Sequence, residues 1–114
     1  MPDLTQTYID TLKLLGDTLV KMTSAEWDAM LQDETPEKRR EAARTMLKTQ
    51  EARLTLANTA LASILTQMQE NEPALRKGIT RLQKSLDTFD KVDSVLRATS
   101  GVLGVIARLV PMLG

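Results

Sequence analysis

Apolar side chains recur three and four positions apart along most of this 114-residue chain. This spacing places them on one face of an α-helix, and it continues through residues 8–22, 47–68 and 75–89. Leu, Met and Ala dominate the apolar residues, and all three favour helices. The sequence therefore predicts an all-α chain without a β-sheet.

Two prolines divide the helical pattern. Pro36 follows a threonine and precedes a glutamate, which is typical of a helix start. Pro73 has a similar setting, and a short break between two long helices makes them antiparallel neighbours. We therefore predict an elongated antiparallel helical bundle with coiled-coil-like packing, in which residues 36–71 and 73–110 form a long hairpin and residues 4–32 pack along it as a third, broken helix.

Capping residues indicate where the first two helices begin. Asp3 is a plausible N-cap for the first helix, and Thr23 with Glu26 is typical of a capping box. That box would start a short helix carrying Trp27. The length of the chain fits a single helical domain, residues 1–114, with one continuous core.

The middle of the chain shows the most regular heptad spacing. We expect its apolar stripe, together with that of residues 75–89, to form the core, with Gln50 as a polar member. The stripe consists of Leu47, Leu54, Ala57, Leu61, Ile64 and Met68.

The composition removes several classes of chemistry. The chain has no cysteine and no histidine, and no nucleotide-binding or hydrolase motif occurs. We therefore expect no catalytic residue, no metal site, no cofactor and no enzymatic activity. The N-terminus lacks a basic stretch followed by an apolar one, so we expect no signal peptide and a cytoplasmic location.

Charge is unevenly distributed although its sum is zero. Residues 1–37 carry a net charge of −6 and residues 38–84 a net charge of +6. We interpret this as an acidic segment packed beside a basic middle. Nucleic-acid binding is disfavoured, because the basic clusters around Arg40 and Arg81 contain no aromatic residue for base stacking.

The C-terminal stretch has the widest apolar face. It predicts a third buried face of the bundle, an interface with another chain, or a helix lying in a membrane surface. A membrane span is disfavoured by Arg97 and Arg108. The candidate interface residues are Val95, Val102, Leu103, Ile106, Leu109, Val110 and Leu113.

This surplus of apolar surface leads to two functional hypotheses. The first is a non-enzymatic scaffold or interaction module that self-associates or binds a protein partner through its apolar C-terminal helix. The alternative is a peripheral membrane protein anchored by the same amphipathic helix, so that a cytoplasmic protein would sit at a membrane surface.

Overall fold

The computed structural model describes residues 3–110, and within that range the chain is all-α, with no strand. The prediction of an all-α helical bundle is confirmed. The elements in chain order are α1 (Leu4–Met22), α2 (Ala25–Gln32), α3 (Pro36–Ala57), a 3-10 turn (Leu61–Ile64), α4 (Leu65–Thr88) and α5 (Val92–Leu109).

Four long helices enclose the core. The α1 helix packs against α3 and α4, and α5 packs against the same two helices from the other side. The short α2 contacts α1 and α5. The molecule measures 43 × 27 × 18 Å, so the bundle is elongated. A helical hairpin is present, but it consists of α4 and α5, which residues 89–91 connect.

The sequence predicts a long hairpin of two helices at residues 36–71 and 73–110, and these bounds are wrong. Pro73 lies inside α4, and the preceding helix has already ended at Ala57. An interior proline costs about 3 kcal/mol. The α4 helix continues through Pro73 because residues on both sides of the proline are buried, namely Met68 before it and Leu75 and Ile79 after it. Each buried side chain of this size contributes about 1.5–3 kcal/mol.

The end of α3 is fixed by a contact with α1. The Tyr8 hydroxyl donates a hydrogen bond to the Leu56 carbonyl oxygen, 2.7 Å away, and lies 3.1 Å from the carbonyl oxygen of Thr59. Carbonyl groups at the end of a helix lack partners within it, and the Leu56 carbonyl accepts this hydroxyl together with the Thr59 amide, which is 3.1 Å away. Asn58 is the C-cap.

Two of the three predicted N-caps are confirmed. The Asp3 carboxylate accepts the Gln6 amide and the Thr35 hydroxyl accepts the Lys38 amide, each at 3.1 Å. The predicted Thr23 cap is wrong, because Thr23 closes α1 and its hydroxyl lies 3.0 Å from the Val20 carbonyl oxygen. Ser24 instead caps α2.

Phe89 shapes the turn between α4 and α5. Its backbone is left-handed, with φ 43° and ψ 51°, which is unusual for a side chain of this size. The ring stacks on Trp27 with a centroid separation of 5.8 Å, and the Lys21 ammonium lies 4.7 Å from its centroid. These contacts tie α1 and α2 to the turn.

Candidate interaction surface

The C-terminal residues predicted as an interface lie inside the chain's own core. Val95, Val102, Leu103, Ile106, Leu109 and Val110 are all buried, and Leu113 falls outside the described residues. The wide apolar face of α5 has a structural reason, since this helix contacts both α3 and α4. The prediction assigned three long helices instead of four, and therefore counted this face as surplus. Because these residues are buried against α3 and α4, they have no exposed surface for a partner.

The surplus apolar surface lies on α3. The prediction that Leu47 and Leu54 belong to the core is wrong, because they are 61% and 66% exposed. Gln50 and Ala57, at the alternate positions of the same stripe, are also exposed. Farther along the predicted stripe, Leu61 is partly buried, and Ile64 and Met68 are buried as expected.

A different stripe faces the core from α3. Its members repeat at spacings of three and four, but most are small, so the hydrophobicity of the sequence does not distinguish them as a core stripe. They are Ala42, Thr45, Thr49, Ala52 and Leu56. At about 100° per residue this stripe lies nearly opposite Leu47 and Leu54. Because only one face of α3 contacts the bundle, the leucine stripe points outward.

Several buried threonines are satisfied within their own helices. The Thr11 hydroxyl donates to the Thr7 carbonyl at 2.7 Å, and the Thr49 hydroxyl donates to the Thr45 carbonyl at the same distance. Thr18 bonds the Leu14 carbonyl at 2.8 Å in the same way. Local bonding of this kind lets threonine enter a core without a partner on another helix.

The α1 helix extends the exposed apolar surface. Ile9 and Val20 are 49% and 69% exposed, and Leu12 and Leu19 are half-buried. Their spacing along α1 places these four residues on one side of the helix. Tyr8 lies near the end of α3 and Gly16 near Arg53, so the two helices run antiparallel.

A groove of about 490 Å³ separates the two helices, and its lining residues are Leu12, Leu19, Gln50, Arg53, Leu54 and Ala57. Arg53 crosses toward α1, where a Cβ atom on Gly16 would lie 3.3 Å from its Nε atom. We call the whole surface the α1–α3 face. It consists of Ile9, Leu12, Leu19, Val20, Leu47 and Leu54, with Gln50 and Ala57 between them.

Ion pairs join helices at other positions. Arg76 on α4 lies 2.9 Å from the Asp10 carboxylate of α1 and donates to the Thr7 hydroxyl at 2.6 Å. This hydrogen bond from Arg76 holds the pKa of Asp10 below its usual value. The pair links the acidic N-terminal segment to the basic middle of the chain, as the charge distribution predicts.

A second ion pair departs from that expectation. Lys38 of α3 lies 3.0 Å from Asp93 of α5, outside the acidic segment, and 3.1 Å from Glu41. The hydrogen bond from Lys38 lowers the pKa of Asp93, while Asp93 and then Glu41 raise the pKa of Lys38. Both shifts favour the charged form of the residue, as expected for an ion pair, and the pair connects α3 to α5.

One carboxylate is buried without full satisfaction. Glu72 is 8% exposed, and its Oε2 atom has no hydrogen-bond partner. Its Oε1 atom lies 3.8 Å from the Arg76 Nε atom, which is too long for a hydrogen bond. Within residues 3–110, neither this carboxylate nor any other belongs to a group of three or more side chains that could hold a metal ion.

The larger groove, of about 560 Å³, lies between α1 and α4. Asp10, Asp17 and Asp87 line it together with Lys13 and Lys84. Because side chains of both signs line this groove, it has no concentration of one charge that would select a small anion or cation. The lining contains no histidine or cysteine. The exposed apolar side chains make the α1–α3 face the stronger candidate for an interaction surface.

Two further findings concern the described chain as a whole. None of the helices in residues 3–110 combines the length and apolar character that a membrane span requires. Comparisons of the chain with protein-family models, curated proteins and solved structures gave no match.

Proposed function

We propose that this chain is a non-enzymatic helical interaction module that binds another protein chain in the cytoplasm through its α1–α3 face. The observation that supports the proposal is the exposure of Leu47 and Leu54 at heptad spacing on a helix whose opposite side already completes the core. An exposed apolar stripe of this kind is typical of helix–helix recognition.

Burial of the exposed side chains at this face would contribute favourable free energy to binding. Removing apolar surface from water is worth roughly 25 cal/mol per Å², or about 1.5–3 kcal/mol for a leucine that becomes fully buried. Leu47, Leu54 and Val20 each expose more than half of their surface. The half-buried Leu12 and Leu19 border the groove, so a docked helix would contact both α1 and α3.

Membrane attachment through α5 is the weaker hypothesis. The apolar residues of α5 contact α3 and α4, so this helix would have to leave the bundle before it could enter a lipid surface. Its departure would expose the core of the molecule to water. The α1–α3 face, in contrast, is accessible without any rearrangement.

Site-specific photo-crosslinking in living cells tests the proposal. A photoreactive amino acid replaces Gln50, at the centre of the α1–α3 face, in the full chain. We expect an adduct of defined mass, because a bound partner would lie within reach of this position. Adding Leu54→Glu should remove the adduct, since a carboxylate would be buried without a partner at the contact.

The matched control places the same photoreactive residue at Lys77, which is exposed on α4. The far-UV circular dichroism spectrum of the Leu54→Glu chain should show unchanged helix content, because Leu54 is not part of the core. Equal adducts from positions 50 and 77, or none from position 50, would contradict an interaction role for this face.

A further inference from the structure

We propose that the α1–α3 face binds a second copy of this chain, with the two α3 helices antiparallel across a two-fold axis. This inference rests on the proposed function and names the occupant of the same surface. It is carried by the charges that border the leucine stripe.

Each edge of the face carries both signs of charge. Lys13 and Asp17 stand four residues apart on α1, and Arg44 and Glu51 stand seven residues apart on α3. The chain has a formal net charge of zero, so two copies do not repel each other overall. A nucleic acid or an anionic lipid surface would instead favour a border of positive charge.

Arg44 and Glu51 have no partner in their own chain among the ion pairs and side-chain hydrogen bonds of the described residues. Seven residues of helix separate them by roughly 10 Å, too far for a mutual contact. Both charged residues lie beside the stripe of Leu47 and Leu54, on the side of α3 away from α1. Each therefore has charge available for an external partner.

Antiparallel pairing of α3 with its copy satisfies both charges at once. When the pairing is centred between residues 47 and 48, Arg44 of each copy lies opposite Glu51 of the other. The same register places Leu47 of one copy beside Leu47 of the other at the axis, and it places Leu54 near Ala43 of the other copy. Two-fold symmetry repeats each contact, which is the property of an isologous interface. An unrelated partner would give no reason for opposite charges at these symmetric positions.

Sedimentation velocity of the purified full chain, with a charge-reversal cycle, tests this arrangement. The wild type should form a dimer in the micromolar range. Arg44→Glu and Glu51→Arg should each weaken dimerisation about tenfold, because each places like charges together at two symmetric contacts. The double variant should restore most of the lost affinity, since it exchanges the two signs.

Leu54→Glu should give a folded monomer, and Ala107→Glu, which adds the same charge on the exposed side of α5, should leave the dimer intact. A wild type that stays monomeric at high micromolar concentration would overturn the inference. So would a dimer that ignores Leu54→Glu, or single charge reversals that the double variant does not rescue. If the crosslink from position 50 then joins a different protein, the proposed function survives while this inference fails.

Discussion

At the scale of single residues, the structure departs from the sequence prediction where contacts with neighbouring residues determine a residue's conformation. Phe89 adopts a backbone conformation that costs roughly 1–2 kcal/mol for a non-glycine residue, and its ring contacts Trp27 and Lys21. Ring packing offsets the strain. The sequence predicted that Phe89 is buried, but a residue's position in a heptad contains no information about a left-handed turn.

Substitution at Phe89 separates packing from strain. Phe89→Ala and Phe89→Gly should both lower the free energy of unfolding, because each removes the contact with Trp27. Phe89→Gly should be the more stable of the two by about 1 kcal/mol, since glycine adopts the left-handed conformation without penalty. Urea denaturation measures the difference. The opposite order, which is usual within helices, would show that the turn does not retain this conformation.

At the scale of helices, the sequence predicted the type of element well and the breaks poorly. Thr35 and Pro36 start α3 as expected, because an N-cap acts locally. The predicted break at Pro73 is wrong, because the burial that carries α4 past this proline depends on contacts with other helices. The outward face of α3 was missed for a related reason. Heptad spacing favoured the leucine stripe, while the buried stripe of alanine and threonine has the same period and weaker hydrophobicity.

Helix propensity leads to a prediction for α5. Gly101 and Gly104 are exposed within this helix, and a Cβ atom added at either would meet no other atom within 4 Å. Gly101→Ala and Gly104→Ala should therefore each raise the free energy of unfolding by about 0.5–1 kcal/mol. Thermal denaturation followed by dichroism would measure this.

Gly78 is the matched control for these substitutions. A Cβ atom there would lie 3.3 Å from the Val102 Cγ2 atom and 3.8 Å from its Cα atom, where α4 and α5 approach closely. Gly78→Ala should gain less than the two α5 variants or destabilise the protein, because α5 would have to shift. Equal stabilisation at all three positions would show that this contact is not tight.

At the scale of the whole molecule, side-chain ion pairs connect helices that are distant in the sequence. Arg76 with Asp10 joins α4 to α1, and Lys38 with Asp93 joins α3 to α5. The opposite charges of the first and middle segments predicted the first contact in outline. The second could not be predicted, because it depends on a four-helix arrangement that places the start of α5 beside the start of α3.

These pairs make stability depend on pH. The pKa values of Asp10 and Asp93 lie below 3.8 in the folded chain, so their contributions are complete above that pH and are lost as the pH falls through the folded values. Unfolding by urea should therefore become easier as the pH falls below the ordinary pKa of an aspartate. Asp10→Asn and Asp93→Asn should each flatten that decline.

High salt provides the control for the acid titration, since it screens exposed ion pairs. In concentrated salt the wild type and the two asparagine variants should lose stability more nearly in parallel. Lys38 has a pKa raised above 10.5, so its contribution is complete below that value and disappears in stronger alkali. A decline in acid as steep in both variants as in the wild type would contradict the role given to these pairs.

The alanines and threonines that attach α3 to the bundle have a consequence for its local stability. They bury less apolar surface than the leucines and valines of α4 and α5, so α3 is held by fewer dispersion contacts for its length. Opening of this helix should therefore require less free energy than opening the other long helices. A partner bound at the proposed α1–α3 face would stabilise the closed form and so raise the free energy needed to open this helix.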